Sequence, residues 1–160
     1  MQPIEQRAMK SEIIKKIDNA GVIAVLVIDE VKHAVPTAKA LLAGGVDTIE
    51  LTLRTPAAID CIKAIQNEVP EITMGVGTVL TTKQVEAVAK SGVDFAVAPG
   101  CNPNVLKTAQ ENGLSFAPGV MTPSEIETAL EFGCRVIKYC PAEPAGGLTF
   151  LKNMAGQYGY

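Results

Sequence analysis

Residues 43–55 read AGGVDTIELTLRT, and this stretch decides the fold. Two glycines end whatever helix precedes them, an apolar strand follows, and polar side chains gather where the strand stops. A glycine in the left-handed conformation after a helix lets the chain turn back into a strand. The same phrase returns as NAGVIAVLVI (19–28), KSGVDFAVAPG (90–100), ENGLSFAPGV (111–120) and EFGCRVIKYCPA (131–142). One double-length gap, between Gly45 and Gly92, holds a further strand, EITMGVGTVL (71–80), which follows Pro70 instead of a glycine. Six βα units of roughly 20 to 25 residues each make the periodicity of an alternating α/β fold.

The segments between the strands read as helices. EVKHAVPTAKALLAGG (30–45) places Val31, Val35, Ala38, Leu41 and Leu42 on one face. TPAAIDCIKAIQNEV (55–69) opens with Thr55 as N-cap and Pro56 at the first helical position, and TPSEIETALEFG (122–133) repeats the device with Thr122 and Pro123. TTKQVEAVAKSG (81–92) and NPNVLKTAQENG (102–113) supply two more, and residues 4–19 form an extra amphipathic helix before the first strand. The strands are almost continuously apolar, as in a parallel sheet covered by helices.

A doubly wound open sheet and a (β/α)8 barrel both fit this alternation. Glu50, Arg54, Thr78, Pro99, Pro118 and Lys138 all fall at or near the C-terminal ends of successive strands. A barrel gathers such ends around one mouth, whereas an open sheet spreads them along an edge. The expected architecture is therefore a TIM (β/α)8 barrel preceded by an N-terminal helix, with residues 1–160 forming one partial barrel domain. Six of the eight units are visible. Eight need at least about 200 residues, so the last quarter of the barrel is expected to lie outside this sequence.

Composition narrows the function classes. The chain has 160 residues, 48% of them hydrophobic and 19% charged, which suits a packed globular domain. A net charge of -3, without any run of Lys and Arg interleaved with aromatics, gives no reason to expect nucleic acid. The opening MQPIEQRAMK reads as neither a signal nor a transit peptide, and no stretch is long and apolar enough for a membrane span. Cys61, Cys101, Cys134 and Cys140 lack CxxC spacing, and there is one histidine. A zinc site is not expected; reduced core thiols and a cytoplasmic location are.

In CRVIKYCPAE (134–143), Lys138 stands among Val136, Ile137, Tyr139 and Cys140. An ammonium in an apolar strand is costly unless it is paired, reaches solvent or gives up its proton. Three readings compete: a solvated edge lysine, a lysine paired with a carboxylate, and an amine nucleophile that forms a Schiff base with a carbonyl. The last expects a dry wall around the amine. It also needs a group to move protons and a cation or hydroxyl to hold a carboxylate.

TIELTLRT (48–55) offers the first two. Alternation sets Ile49, Leu51 and Leu53 on one face and Glu50, Thr52 and Arg54 on the other. Glu50 and Arg54 lie about 13 Å apart along the strand, so each needs its own partner, of which a substrate is one candidate. GVGTV (75–79) is no dinucleotide fingerprint, because Leu80 stands where the third glycine belongs. Its small residues let backbone approach a ligand or a neighbouring strand. Thr78 ends that strand with a hydroxyl that can bind a carboxylate or simply cap the strand. His33 reads as a surface or packing residue, and Gly146–Gly147 as a flexible turn before a short helix.

Together, HAVPTAKALLAGGVDTIELTLRT, GVGTVL, FAVAPG, FAPGVMTPSE and IKYCPAEPAGG resemble, in order over about residues 20–155, the class I 2-keto-3-deoxy-6-phosphogluconate aldolases. That family includes the bifunctional 4-hydroxy-2-oxoglutarate aldolases. The resemblance implies a homotrimeric TIM barrel that needs neither metal nor cofactor. It places the Schiff-base lysine on Lys138, the general acid/base on Glu50, and the pyruvate carboxylate on Arg54 and Thr78. Pro99 joins the substrate-binding set. An aromatic residue often found two positions after the lysine is here Cys140. The family's phosphate-binding segments belong to strands seven and eight, which are not in this sequence. The rivals are a non-catalytic barrel remnant and another phosphate-binding barrel acting as a synthase or decarboxylase.

Overall fold

A computed structural model describes residues 9–159. Helix α1 (Ser11–Ala20) leads into strand β1 (Ala24–Leu26), and the chain then alternates. The remaining strands are β2 (Thr48–Thr52), β3 (Thr73–Gly77), β4 (Phe95–Val97), β5 (Phe116–Ala117), β6 (Gly119–Val120) and β7 (Lys138–Tyr139). Between them run α2 (Ala34–Ala43), α3 (Ala58–Glu68), α4 (Thr82–Lys90), α5 (Pro103–Glu111) and α6 (Pro123–Glu131), with α7 (Gly147–Tyr158) last. Strands β1 to β5 form a parallel sheet in chain order, and β6 pairs in parallel with β7. β5 and β6 are halves of one extended segment broken at Pro118. Proline has no N–H for a ladder, but its carbonyl accepts from Lys138 N at 2.8 Å. Six strand positions result, and every connection is a βαβ crossover, as the repeat predicts.

Alternation sorts the strand side chains into two cores. Ile49 and Leu51, Met74 and Val76, and Ala96 face the helices and pack with residues such as Ile62, Ile65, Val85, Val88 and Leu106. On the opposite face Phe95, Val97 and Ala117 meet Met9 and Ile13, so α1 closes the N-terminal end of the concave side. Each fully buried side chain of this size contributes about 1.5–3 kcal/mol. Polar contacts tether α1 as well. Lys16 Nζ lies 3.2 Å from Asp94 Oδ1, Asp94 Oδ2 accepts from Met74 N at 2.8 Å, and Lys10 N donates to Ser115 Oγ at 3.2 Å.

Several local expectations are corrected. The first helix spans residues 11–20, not 4–19: residues 9 and 10 are not helical, and 4–8 lie outside the described residues. It ends at Gly21 (φ 65°), whose N–H reaches Ile17 O. Thr55 is not an N-cap. Its hydroxyl instead donates to Ile28 O at 2.7 Å, joining the ends of two strand segments, and α3 starts only at Ala58. Val31 leaves the buried stripe of its helix because residues 31–33 form a 3-10 turn that exposes it. Gly147 is not part of a turn before the last helix but its first residue, with Gly146 as N-cap, and that helix is a full twelve residues, not a short one. Thr81 with Gln84 and Thr122 with Glu125 form reciprocal capping boxes. Cys61 and Cys134 are buried, Cys101 and Cys140 half-buried, and all four are free thiols. Burial pushes the Cys134 thiol up to about 11, with Cys101 adding to the shift. No helix among the described residues is long and apolar enough to cross a membrane.

Candidate active site

The strand register builds the site. β2 lies between β1 and β3, with Glu50 opposite Val25 on one side and Gly75 on the other. Its side chain leaves the helix-facing core and enters the concave face, where it keeps only 6% of its exposure. Lys138 arrives from the other end of the curved array, through the pairing of Gly119 with Lys138. Its Nζ lies 2.9 Å from both Glu50 carboxylate oxygens, a contact between residues 88 apart in sequence. Tyr139 points the other way. It stacks on Phe150 of α7 at 5.0 Å between centroids, with 7° between the rings, and donates to Ala145 O at 2.6 Å. Tyr139 is thus held on the helix side, and alternation turns Lys138 into the concavity.

Of the three readings of Lys138, the geometry realises the ion pair. It is no solvated edge residue, since both carboxylate oxygens hold it. The expected dry wall is corrected, however: 31% of the lysine side chain remains open to solvent. A paired ammonium with one open side suits a group that a small ligand must reach. A carboxylate this close to an amine can exchange a proton with it.

Arg54, Thr78 and Pro99 follow the C-terminal ends of β2, β3 and β4, at the same end as the pair. None of them touches it through a hydrogen bond or ion pair among the described residues. Arg54 is exposed in the turn after β2 and forms no ion pair among the described residues, which leaves its guanidinium open to an anion. Pro99 is exposed and Thr78 half-buried. Thr78 has φ 61°, and among the described residues no other non-glycine has a positive φ. A β-branched residue in that region is strained, and such strain concentrates where the fold must aim a group.

Sequence reasoning missed how the pair is given room. From sequence, GVG at 75–77 suggests space for a ligand or a neighbouring strand's backbone. A Cβ on Gly75 would instead collide with the Phe95 ring, and one on Gly77 with Glu50 Oε1. The signal was present: two glycines at i and i+2 empty one face of a strand. His33 lies in the exposed 3-10 turn between β1 and α2 and makes no hydrogen bond or ion pair with the Glu50–Lys138 pair.

The family described as KDPG and KHG aldolase matches residues 13–160. A 2-dehydro-3-deoxy-phosphogluconate aldolase of Pseudoalteromonas atlantica is 44% identical over 137 residues, covering 86% of this chain and 64% of the relative. The KHG/KDPG aldolase of Escherichia coli K12 matches to the same extent. Among solved structures, the 2-keto-3-deoxy-6-phosphogluconate aldolase of Zymomonas mobilis ZM4, bound to 3-phosphoglycerate, superposes with a TM-score of 0.88 at 39% identity. That match covers 94% of this chain and 71% of the other. A KDPG aldolase from Legionella pneumophila, with pyruvate captured as a covalent carbinolamine, gives 0.83 at 36% identity over 99% of this chain and 72% of the other. The chain thus spans just under two thirds of the length of the curated relatives it matches.

Proposed function

This chain belongs to the KDPG and KHG aldolase family, and from that premise we propose that it catalyses class I aldol cleavage of a 2-keto acid at the Lys138–Glu50 pair. One observation carries the reading: Lys138, the only strand lysine among the described residues, has its Nζ 2.9 Å from both oxygens of the buried Glu50. The covalent carbinolamine of pyruvate in the Legionella aldolase supports the same chemistry.

Lys138 passes a proton to Glu50 and attacks the C2 carbonyl as the free amine. Glu50 returns that proton to the carbinolamine hydroxyl, which leaves as water and gives the iminium. Glu50, through a water, takes the proton of the C4 hydroxyl. The C3–C4 electron pair flows to the iminium as the bond breaks, releasing an aldehyde and leaving the enamine of pyruvate. Protonation at C3 and hydrolysis of the imine free pyruvate and the amine. Arg54 and Thr78 hold the pyruvate carboxylate, and Pro99 borders the same end. The iminium is itself the electron sink, so the chemistry calls for no metal or cofactor. The substrates are 2-keto-3-deoxy-6-phosphogluconate, giving glyceraldehyde 3-phosphate, and 4-hydroxy-2-oxoglutarate, giving glyoxylate. A cytoplasmic homotrimer in sugar-acid catabolism belongs to the same reading.

Borohydride reduction in the presence of pyruvate, followed by peptide mass spectrometry, tests it. The expected product is a single adduct on Lys138. A protein that stays unlabelled, as a non-catalytic remnant or a barrel synthase without a Schiff-base lysine would, overturns the proposal.

A further inference from the structure

We infer that Gly77 is a positioning residue for the carboxylate of Glu50: its missing side chain is the space in which that carboxylate reaches Lys138. The inference rests on the function proposed above for the pair and adds a residue to it. β3 has an ordinary extended backbone at Gly77, which is not among the positive-φ glycines. Conformational freedom therefore does not explain the glycine. Its ladder is intact as well, since Gly77 pairs with Thr52 and its carbonyl accepts from Leu53 N at 2.9 Å. Every L-residue tolerates such a backbone. What excludes them is the neighbour: a Cβ here would overlap Glu50 Oε1 and come within 2.8 Å of Glu50 Cδ and 2.9 Å of Cγ.

Glu50 has nowhere else to go. Gly75, the neighbour paired directly with it, leaves a gap that the Phe95 ring fills, and Phe95 is itself 1% exposed. The carboxylate is thereby denied the floor of the concavity and laid across β3 over Gly77, with Lys138 above it. A methyl group at 77 displaces it by more than the tolerance of a 2.9 Å contact. Misplacing a reacting group by about 1 Å costs about 100-fold in rate.

The test compares Gly77→Ala with the unaltered chain in two reactions. Exchange of the pyruvate methyl protons with D2O reads proton transfer by Glu50; borohydride trapping reads imine formation at Lys138. Gly77→Ala is expected to lower methyl exchange about 100-fold while an adduct still forms on Lys138. Glu50→Asp in the Gly77→Ala background, one methylene shorter, is expected to recover part of the exchange. Undiminished exchange in Gly77→Ala overturns the inference and leaves the proposed function standing. If the unaltered chain forms no adduct, the proposed function falls instead, and a crystal structure of Gly77→Ala then decides the inference alone. A Glu50–Lys138 separation beyond about 4 Å upholds it, and an unchanged contact overturns it. Should Gly77→Ala fail to fold, Glu50→Ala/Gly77→Ala separates the causes. Recovery of folding in the double variant assigns the clash to the carboxylate; continued unfolding assigns the glycine to the strand and overturns the inference.

Discussion

Lys138 and Glu50 are unequal partners, and the inequality has a measurable consequence. Glu50 is almost sealed, whereas nearly a third of the lysine side chain meets solvent. Removing the lysine strands a buried carboxylate, but removing the charge of the glutamate leaves an ammonium that water can still reach. Lys138→Met is therefore expected to destabilise the fold by about 1–3 kcal/mol, and Glu50→Gln by clearly less, as read by urea denaturation. Equal losses would mean that the two environments do not differ. Thr78 makes the opposite case. Relieving its φ of 61° with Thr78→Gly is expected to stabilise by up to about 1 kcal/mol. Loss of the hydroxyl should meanwhile raise KM for a pyruvate-releasing substrate about tenfold, the value of one hydrogen bond to a charged group. A lower urea midpoint would show that the conformation is not strained. Which polar residues gather at one end of the sheet was legible from alternation and strand ends. That Glu50 and Lys138 touch was not, because a contact across 88 residues depends on how the sheet curves.

At the scale of elements, the αL glycines and the Thr122 N-cap are local devices and were readable; the reciprocal bonds of Gln84 and Glu125 appear only in the structure. Thr122 accepts from Glu125 N while Glu125 Oε2 accepts from Met121 N and Thr122 N at 2.8 and 2.9 Å. The Met121 backbone bond, with those of Thr122, holds the Glu125 carboxyl below its ordinary value of 4.5, against a smaller opposing effect of burial. A carboxyl depressed in the folded state stabilises fully above its unfolded value, and that contribution fades as pH falls through the folded one. Glu125→Gln is expected to flatten the loss of stability below about pH 4.5, measured as thermal midpoints across an acid series. Thr122→Ala should cost about 1 kcal/mol at neutral pH. Thr55 shows where such reading fails. The same Thr-Pro signature lies there, yet its hydroxyl meets Ile28 O in the segment after β1, and a tertiary partner displaces the local one. Pro118 is the converse: a proline inside an apparently continuous strand splits it in two while its carbonyl still serves the next strand.

On the scale of the whole molecule, the order of strands follows directly from the repeat, but the closure of the concave face by α1 does not. The amphipathic pattern of residues 4–19 predicts a buried stripe without saying which surface receives it; Phe95, Val97 and Ala117 receive Ile13 of the observed helix. The other consequence concerns the sheet's edges. Among the described residues β1 pairs only with β2, and β7 only with β6. Val25 and Val27, on the concave side of β1 by alternation, are 55% and 50% exposed, and Leu130, Leu148 and Leu151 near the opposite edge range from 43% to 74%. Unpaired edges flanked by exposed apolar side chains template association with other chains, and inward-pointing charge on an edge strand opposes it. The 160-residue chain is therefore expected to bind a hydrophobic dye and to form assemblies that grow with concentration in sedimentation velocity. Val25→Lys/Val27→Lys should reduce both, because two ammonium groups beside the open ladder must be desolvated before another strand can pair. Dye binding and sedimentation unchanged by that double substitution would place the sticky surface elsewhere, on the α6–α7 side, where Leu130→Lys becomes the informative variant.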